Sequence, residues 1–485
     1  MDPDQFIIRP MKRNWILPLA VLVLAAIAGA VYWLSTPRVS GFAPENNALD
    51  VPAGTEIRLT FSRAMQPDDV TQRLKIDPPT PGKYRWEGNT LVFTPVQPWE
   101  AGTTVQVKLA AGARANGRLA LPLISDTAWS FSIRQPRLLY LYPSDSPANI
   151  YIYNPRTEKS QPVTDAAAGV LEYDVTPDGG AIYYSAQNSL GGSDIYRLEL
   201  SGDSASAQAV QVLACQQAQC RAPSIAPGED LLAYELTSSP ASNQAGYPRV
   251  WLLPFVKGQS ADGKVTVKPA KESRLAGDPA HQTSQPDWSP NGNLSYYDST
   301  QKAFIVLDPH SGKNTALPNQ TGEPGSWSPD STVYVAAEIF FNAGGSGEPA
   351  NELQPVASSH LLRFNVTDGT IQDLTQTENL EDTTPVFSPD GSQLALARKY
   401  LDAQRWTPGR QLWVMRANGA SAQQLTDEPD YNHFDFAWSP TGSQIAFVRF
   451  NQTAPTDLPM VLIYDLPRSF ASEVVTGGYA PHWIP

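Results

Sequence analysis

The stretch Phe387-Ser388-Pro389-Asp390-Gly391 returns along the chain. Its variants are Val175-Thr176-Pro177-Asp178-Gly179, Ile225-Ala226-Pro227-Gly228, Trp288-Ser289-Pro290-Asn291-Gly292, Trp327-Ser328-Pro329-Asp330 and Trp438-Ser439-Pro440-Thr441-Gly442. A broken copy, Trp483-Ile484-Pro485, stands at the last residue. Each copy is turn chemistry: Pro fixes φ, Asp bonds its own backbone, and Gly accepts positive φ. Successive motif prolines lie 39 to 63 residues apart.

Each phrase has a stereotyped sequel. Gln393-Leu394-Ala395-Leu396-Ala397 and Gln444-Ile445-Ala446-Phe447-Val448 read as a second strand. Gln411 to Met415 and Val461 to Tyr464 read as a third, and Gln424-Leu425-Thr426 and Asp373-Leu374-Thr375 as a fourth. Four strands per unit, at periods of about 40 to 60 residues, describe the blades of a β-propeller. Ahead of the first phrase, Leu138–Tyr142, Asn149–Tyr153 and Gln161–Thr164 match strands two, three and four and lack a first strand. The copy ending at Pro485 supplies one, which predicts seven blades closed by the C-terminal strand over 137–485. The phrases resemble TolB-like propeller repeats, which also occur beside prolyl oligopeptidase-type hydrolases. That resemblance implies the fold and leaves the function open. The chain departs from the pattern at Pro227-Gly228-Glu229 and at Asp330-Ser331, which lack the final Gly.

Residues 38–134 read as a separate β-sandwich. Ile57–Phe61, Leu91–Thr94, Thr104–Leu109 and Trp129–Ile133 alternate apolar and polar residues, with turn clusters such as Glu87-Gly88-Asn89 between them. The order Ala43-Pro44-Glu45-Asn46-Asn47, Phe61-Ser62-Arg63-Ala64-Met65, Phe93-Thr94-Pro95, Trp99-Glu100-Ala101-Gly102-Thr103 and Trp129-Ser130-Phe131 resembles the bacterial Ig-like domain of SbsA type. The resemblance implies a non-catalytic extracellular spacer. Met65 is expected to pack at a strand end.

Residues 15–34 carry no charge. Twenty residues at about 1.5 Å each span a bilayer core of roughly 30 Å. Arg9, Lys12 and Arg13 precede the segment, and Glu45 and Asp50 follow it. This predicts a single-pass cell-membrane protein with residues 1–14 cytoplasmic and the bulk extracytoplasmic. A cleaved signal peptide ending near Ala28-Gly29-Ala30 is the other reading. The formal charge of −13 and the lack of a dense basic run after Arg13 argue against nucleic acid as a partner. Cys215 and Cys220 are expected to form a small disulfide in an exported protein, the other readings being a redox pair or half a metal site.

Antiparallel strands put the motif turns on one face. The crossings between units and the loops after strand two fall on the other, including the long segments 236–248, 338–359, 398–410 and 449–458. Loops held by a rigid scaffold carry function, so the second face is the expected binding face. Ile339, Phe340 and Phe341 are expected to extend strand two. The crossings hold His281, Glu381, Asp382, Asp430, Tyr431, His433 and Asp435 near the channel mouth, as candidate ligands of a bound group. No Ca²⁺ loop, H-E-x-x-H or nucleophile elbow occurs; Gly344-Gly345-Ser346-Gly347 lacks the elbow's register. No metal or cofactor is expected. The reading is a non-enzymatic scaffold that binds an extracytoplasmic protein, peptide or glycan. The alternative is a glycan hydrolase or lyase using Glu381 and Asp430 across the channel.

Overall fold

Strict alternation builds the first sandwich. In Ile57–Phe61, Ile57, Leu59 and Phe61 are buried while Arg58 and Thr60 stay partly exposed, and Thr104–Leu109 repeats the pattern. The computed structural model describes residues 21–24, 32, 35–117, 120–201, 204–205, 208–238, 246–259, 265–270, 272–342 and 356–485. Internal contacts divide the chain into residues 1–135 and 136–485. No helix among the described residues is long and apolar enough to cross a membrane. The span expected at 15–34 lies mostly outside them.

In the first unit one sheet runs Val39–Ala43, Ile57–Phe61, Thr90–Pro95, Gly82–Glu87, and the other Ala48–Val51, Thr127–Ile133, Thr104–Leu109, Leu74–Asp77. Phe61, Phe93, Trp99 and Phe131 share the core between them, and Met65 packs into it. Trp99 donates its buried indole N–H to the Thr55 carbonyl at 2.7 Å, as a buried Trp requires. Gly82–Glu87 buries no residue fully, so its sequence shows no apolar alternation. Its Arg85 instead clamps Glu56 with two bonds of 2.7 and 2.8 Å.

In residues 136–485 the strands come in antiparallel groups. One sheet runs Thr283–Trp288, Leu294–Asp298, Ala303–Leu307, Asn314–Pro318; the next Ser326–Trp327, Val333–Asn342, Val356–Asn365, Ile371–Asp373. Then follow Leu380–Phe387, Gln393–Tyr400, Gln411–Arg416, Gln423–Gln424, and Tyr431–Trp438, Gln444–Asn451, Met460–Asp465, Phe470–Thr476. Groups beginning at Val170–Val175 and Gln219–Ile225 join into one sheet through a single parallel pair, Ser193 with Gln219. In the remaining sheet the last strand, Tyr479–Ile484, pairs with Arg137–Tyr142, placing Trp483 opposite Leu138. The broken motif copy thus supplies the strand missing before residue 137. First strands of most successive sheets pack on one another, and Ile484 joins Val175 and Ile182 in one apolar cluster. Radially packed four-strand groups closed by the two ends of the unit make a β-propeller.

The repeated phrase is glue between sheets. Ser388 Oγ donates to Asp390 Oδ1 at 2.6 Å and accepts the Gln393 N–H at 3.0 Å. Ser328 with Asp330, and Ser289 with Asn291, repeat the first of these bonds. The Asp390 and Asp330 carboxyls are held below the usual carboxylate range, first by those serine hydroxyls. Trp288 and Trp438 donate their indole N–H to carbonyls of the preceding sheet, Ser224 and Val386. Where the phrase lacks its Gly, Glu229 (φ 52) and Ser331 (φ 62) take the left-handed conformation themselves, at a steric cost. Cys215 and Cys220 are bonded in a disulfide with Cα atoms 6.2 Å apart.

Candidate functional site

Five of the first strands carry a left-handed residue five positions before the motif proline; those leading to Pro177 and Pro329 do not. Ala222, Gln285, Thr384, Asp435 and Ala480 have φ between 43 and 56. The register of the strand pair slips at each of them. This is a β-bulge, which twists the strand and re-aims its side chains. Pro223, Pro286, Pro385 and Pro481 follow four of the five. That Pro spacing was visible in the sequence and is the signal the motif reading passed over.

The bulges lace neighbouring first strands together along the channel. Glu172 Oε2 accepts the Ala222 N–H at 2.7 Å, and Asp174 Oδ2 that of Ile225 at 2.8 Å. Asp435 accepts the N–H of Ala480, whose carbonyl takes the Tyr173 hydroxyl at 2.6 Å. Asp435 therefore lies apart from the other residues of its crossing and grips the closing strand. Beside it a cavity of about 440 Å³ is lined by Glu172, Tyr173, Asp435, Tyr479 and His482. Water reaches Asp435, Asp287 and His482, yet protein surrounds them. Burial pushes Asp287 up to about 7, with Asp174 adding to the shift. It also raises Asp174 and Asp435 and lowers His482 against the opposing pull of Asp174. Partly desolvated charges without full pairing behave this way.

The crossing residues form a different cluster on the loop-rich face. Glu381 is paired with Arg410 and, at 3.7 Å, with Lys399. The Arg410 carbonyl accepts the His433 backbone N–H at 2.9 Å and lies 2.9 Å from His433 Nδ1. His433 is fully buried, and its Nε2 stands 3.1 Å from Glu428 Oε2. Arg449 pairs with Glu428 and lies over the Tyr431 ring, 4.7 Å from its centroid. His433 and then Arg449 hold the Glu428 carboxyl down at about 2, against burial. Glu381, Tyr431 and His433 are thus brought together, tied by Glu428, Arg410 and Arg449. Those three went unassigned because nothing local in the sequence marks them as partners.

The remaining candidates lie elsewhere. Asp382 is wholly buried, with Arg398 on both carboxylate oxygens at 2.6 and 2.7 Å and the Thr375 hydroxyl at 2.7 Å. His281 Nδ1 lies 2.7 Å from Asp298 Oδ2 in another sheet. Asp430 is exposed. Strand pairing runs on to Asn342 and Val356, so Ile339, Phe340 and Phe341 extend strand two; residues 343–355 lie outside the described ones. Among the described residues no group of three or more His, Cys, Asp or Glu is placed to hold a metal. Chemically the face offers exposed aromatics and neutralised ion pairs, which suits recognition.

Residues 35–133 match the family of the bacterial Ig-like domain. No curated protein matches the sequence. Among solved structures, TolB from Acinetobacter baumannii is 12% identical, with 93% of this chain and 99% of that one covered and a TM-score of 0.39. An oligogalacturonate lyase from Vibrio parahaemolyticus is 13% identical over 70% of this chain and 72% of that one, with a TM-score of 0.32. The β-propeller domain of the Trilobed protease from Pyrococcus furiosus is 11% identical over 63% and 84%, with a TM-score of 0.42. The chain carries a bacterial Ig-like domain, and by its own repeats and sheet topology its second unit is a β-propeller.

Proposed function

We propose that this chain is a membrane-held, extracytoplasmic binding scaffold. Segment 15–34 anchors it, the Ig-like domain spaces it, and a seven-bladed propeller presents its loop-rich face to a protein, peptide or glycan. One observation carries the reading: the two faces are built for different work. The motif face carries tight turns whose polar groups bond one another, with a cavity of about 500 Å³ among Ser328, Asp330, Phe387 and Asp390. The opposite face gathers the large exposed side chains of the strand-two-to-three loops, among them Leu190, Tyr247, Phe341, Trp406 and Leu458. Val210, Val256, Ile371 and Phe470 are exposed toward the other end of the strands, but it is the long strand-two-to-three loops, held by a rigid scaffold, that favour binding on this face. The test places a photo-crosslinking residue in the full-length protein at Trp406 and, as a control on the motif side, at Phe470. Specific adducts at Trp406 alone are expected. Adducts at Phe470 alone would overturn the assignment of the face.

A second reading, a glycan hydrolase or lyase, has one observation in its favour: Asp287 is pushed up to about 7, as a general acid needs. The acids Glu172, Asp174 and Asp435 are engaged by backbone N–H groups, Glu172 also by the Arg221 guanidinium, so the binding reading is preferred.

A further inference from the structure

We propose that the ligand of the loop-rich face is a neutral oligosaccharide, seated between the sheet of residues 326–373 and the sheet of residues 380–424. The proposal rests on the binding reading above and specifies its ligand.

Side-chain alternation fixes one wall. Val333, Val335, Ala337 and Leu361 share an apolar cluster with Leu394, Leu396 and Trp413, and Tyr400 packs on it. Those odd-numbered residues therefore turn toward the 380–424 sheet. The hairpin continues outward with Ile339 opposite Ser359 and Phe341 opposite Ala357, and the period of two points these residues the same way. Phe341 is 66% exposed at the outer end. The other wall is the loop after Tyr400. Arg405 stacks 3.8 Å from the centroid of the Tyr400 ring. Trp406, bridged to Tyr400 through the backbone, is 56% exposed.

Inward of these rings lie polar atoms without partners among the described residues. Ser359 is 9% exposed, and its Oγ has no hydrogen-bond partner among the described residues. Toward the channel, Glu323 feels Arg410 and Glu381, and Glu323 Oε2 and Arg410 Nε are likewise buried without a partner. A buried polar atom left unpaired is costly. Ser359, opposite Ile339, lies one same-side pair inward of Phe341 on the hairpin, so its unpaired hydroxyl stands next to an exposed aromatic ring.

Charge decides the ligand class. Arg410 is neutralised by Glu381, and Arg405 by Asp402 at 2.6 Å. Among the described residues a polyanion finds no uncommitted cation here. A neutral sugar fits both halves, its C–H face against Phe341 and Trp406 and its hydroxyls on Ser359 and Glu323. An extended peptide adding to the hairpin edge is the competing occupant.

The test uses full-length protein and immobilised cellohexaose, maltohexaose and chitohexaose, with hexagalacturonate as the acidic control. Binding to a neutral hexasaccharide is expected, weakened about tenfold by Trp406→Ala or Phe341→Ala. Ser359→Ala and Glu323→Gln should each weaken it severalfold, and Phe470→Ala should leave it unchanged. No neutral binding, stronger binding of hexagalacturonate, or binding indifferent to Trp406→Ala would each overturn the proposal. Crosslinking separates the two levels. A peptide or protein adduct at Trp406 that neutral hexasaccharides do not displace leaves the face standing and removes the sugar. No adduct at Trp406, of sugar or of protein, removes both.

Discussion

The carboxylates of the loop-rich face and those of the channel are the same chemical groups under opposite forces. On the face, Glu428 sits between His433 and Arg449 and is held down at about 2. In the channel, Asp287 has no cation beside it among the described residues and is pushed up to about 7 by burial and by Asp174. Placement explains the difference. Crossings bring charged side chains from three strand ends together, so partners are at hand. Channel residues meet mainly neighbouring first strands, where their oxygens are taken chiefly by backbone N–H groups, Arg221 also holding Glu172 at 2.7 Å. An acidic residue in this chain is therefore a joint on the face and a cost in the channel, partly recovered by lacing neighbouring strands.

The most severe way to break the comparison is to remove the channel's closing strand. Deleting residues 478–485 takes away Trp483 and Ile484, both buried. It also removes the pairing with Arg137–Tyr142 and the grip of Asp435 and Tyr173 on Ala480. The expected loss is several kcal/mol, with the melting temperature of the propeller lowered by more than about 10 °C. A thermal melt unchanged by the deletion would show that the ring holds without its last strand, and the seven-blade proposal would fall.

Much of this architecture was legible because it repeats. Ser388, Pro389 and Asp390 write a turn, and Leu394, Leu396, Leu412 and Val414 write two strands buried on both sides. Closure was legible for the same reason, since Trp483 and Pro485 complete a pattern. The site was legible only in part. Glu381, Tyr431 and His433 were singled out together and do meet, but Asp435, two residues beyond His433, points into the channel because the backbone turns left-handed there. A single bulge of that kind changes where every later side chain aims. Arg410 and Arg449 could not be paired with carboxylates 29 and 21 residues away without knowing which strand ends converge. In the Ig-like domain, Gly82–Glu87 escaped notice because it buries almost nothing.

A smaller effect sharpens the face side of the comparison. Glu428 is lowered from an ordinary 4.5 to about 2, so its contribution is complete above 4.5 and is lost as pH falls toward 2. With 35% of its side chain exposed, solvent screening reduces the expected contribution to about 1–2 kcal/mol. Glu428→Gln should cost that much at pH 7 and nothing near pH 2, measured by urea denaturation across the range. A cost independent of pH would mean that packing, not charge, holds this crossing.

The smallest effect has the opposite sign and tests the channel. Asp287 is raised from an ordinary 3.8 to about 7, so the unfolded chain gives up this proton more readily than the folded one. Stability contributed by this group therefore increases as pH falls from 7 toward 4, and the penalty for its charge is complete above 7. Water reaches the side chain, which screens that charge and limits the expected penalty to about 1 kcal/mol. Asp287→Asn removes the charge and keeps the shape. The variant should be more stable than the parent at pH 8 and equal to it at pH 4, while Glu428→Gln moves the other way over its own window. If Asp287→Asn instead weakens the protein at pH 8, the channel carboxylate is paired after all, and the division between face and channel does not hold at this position.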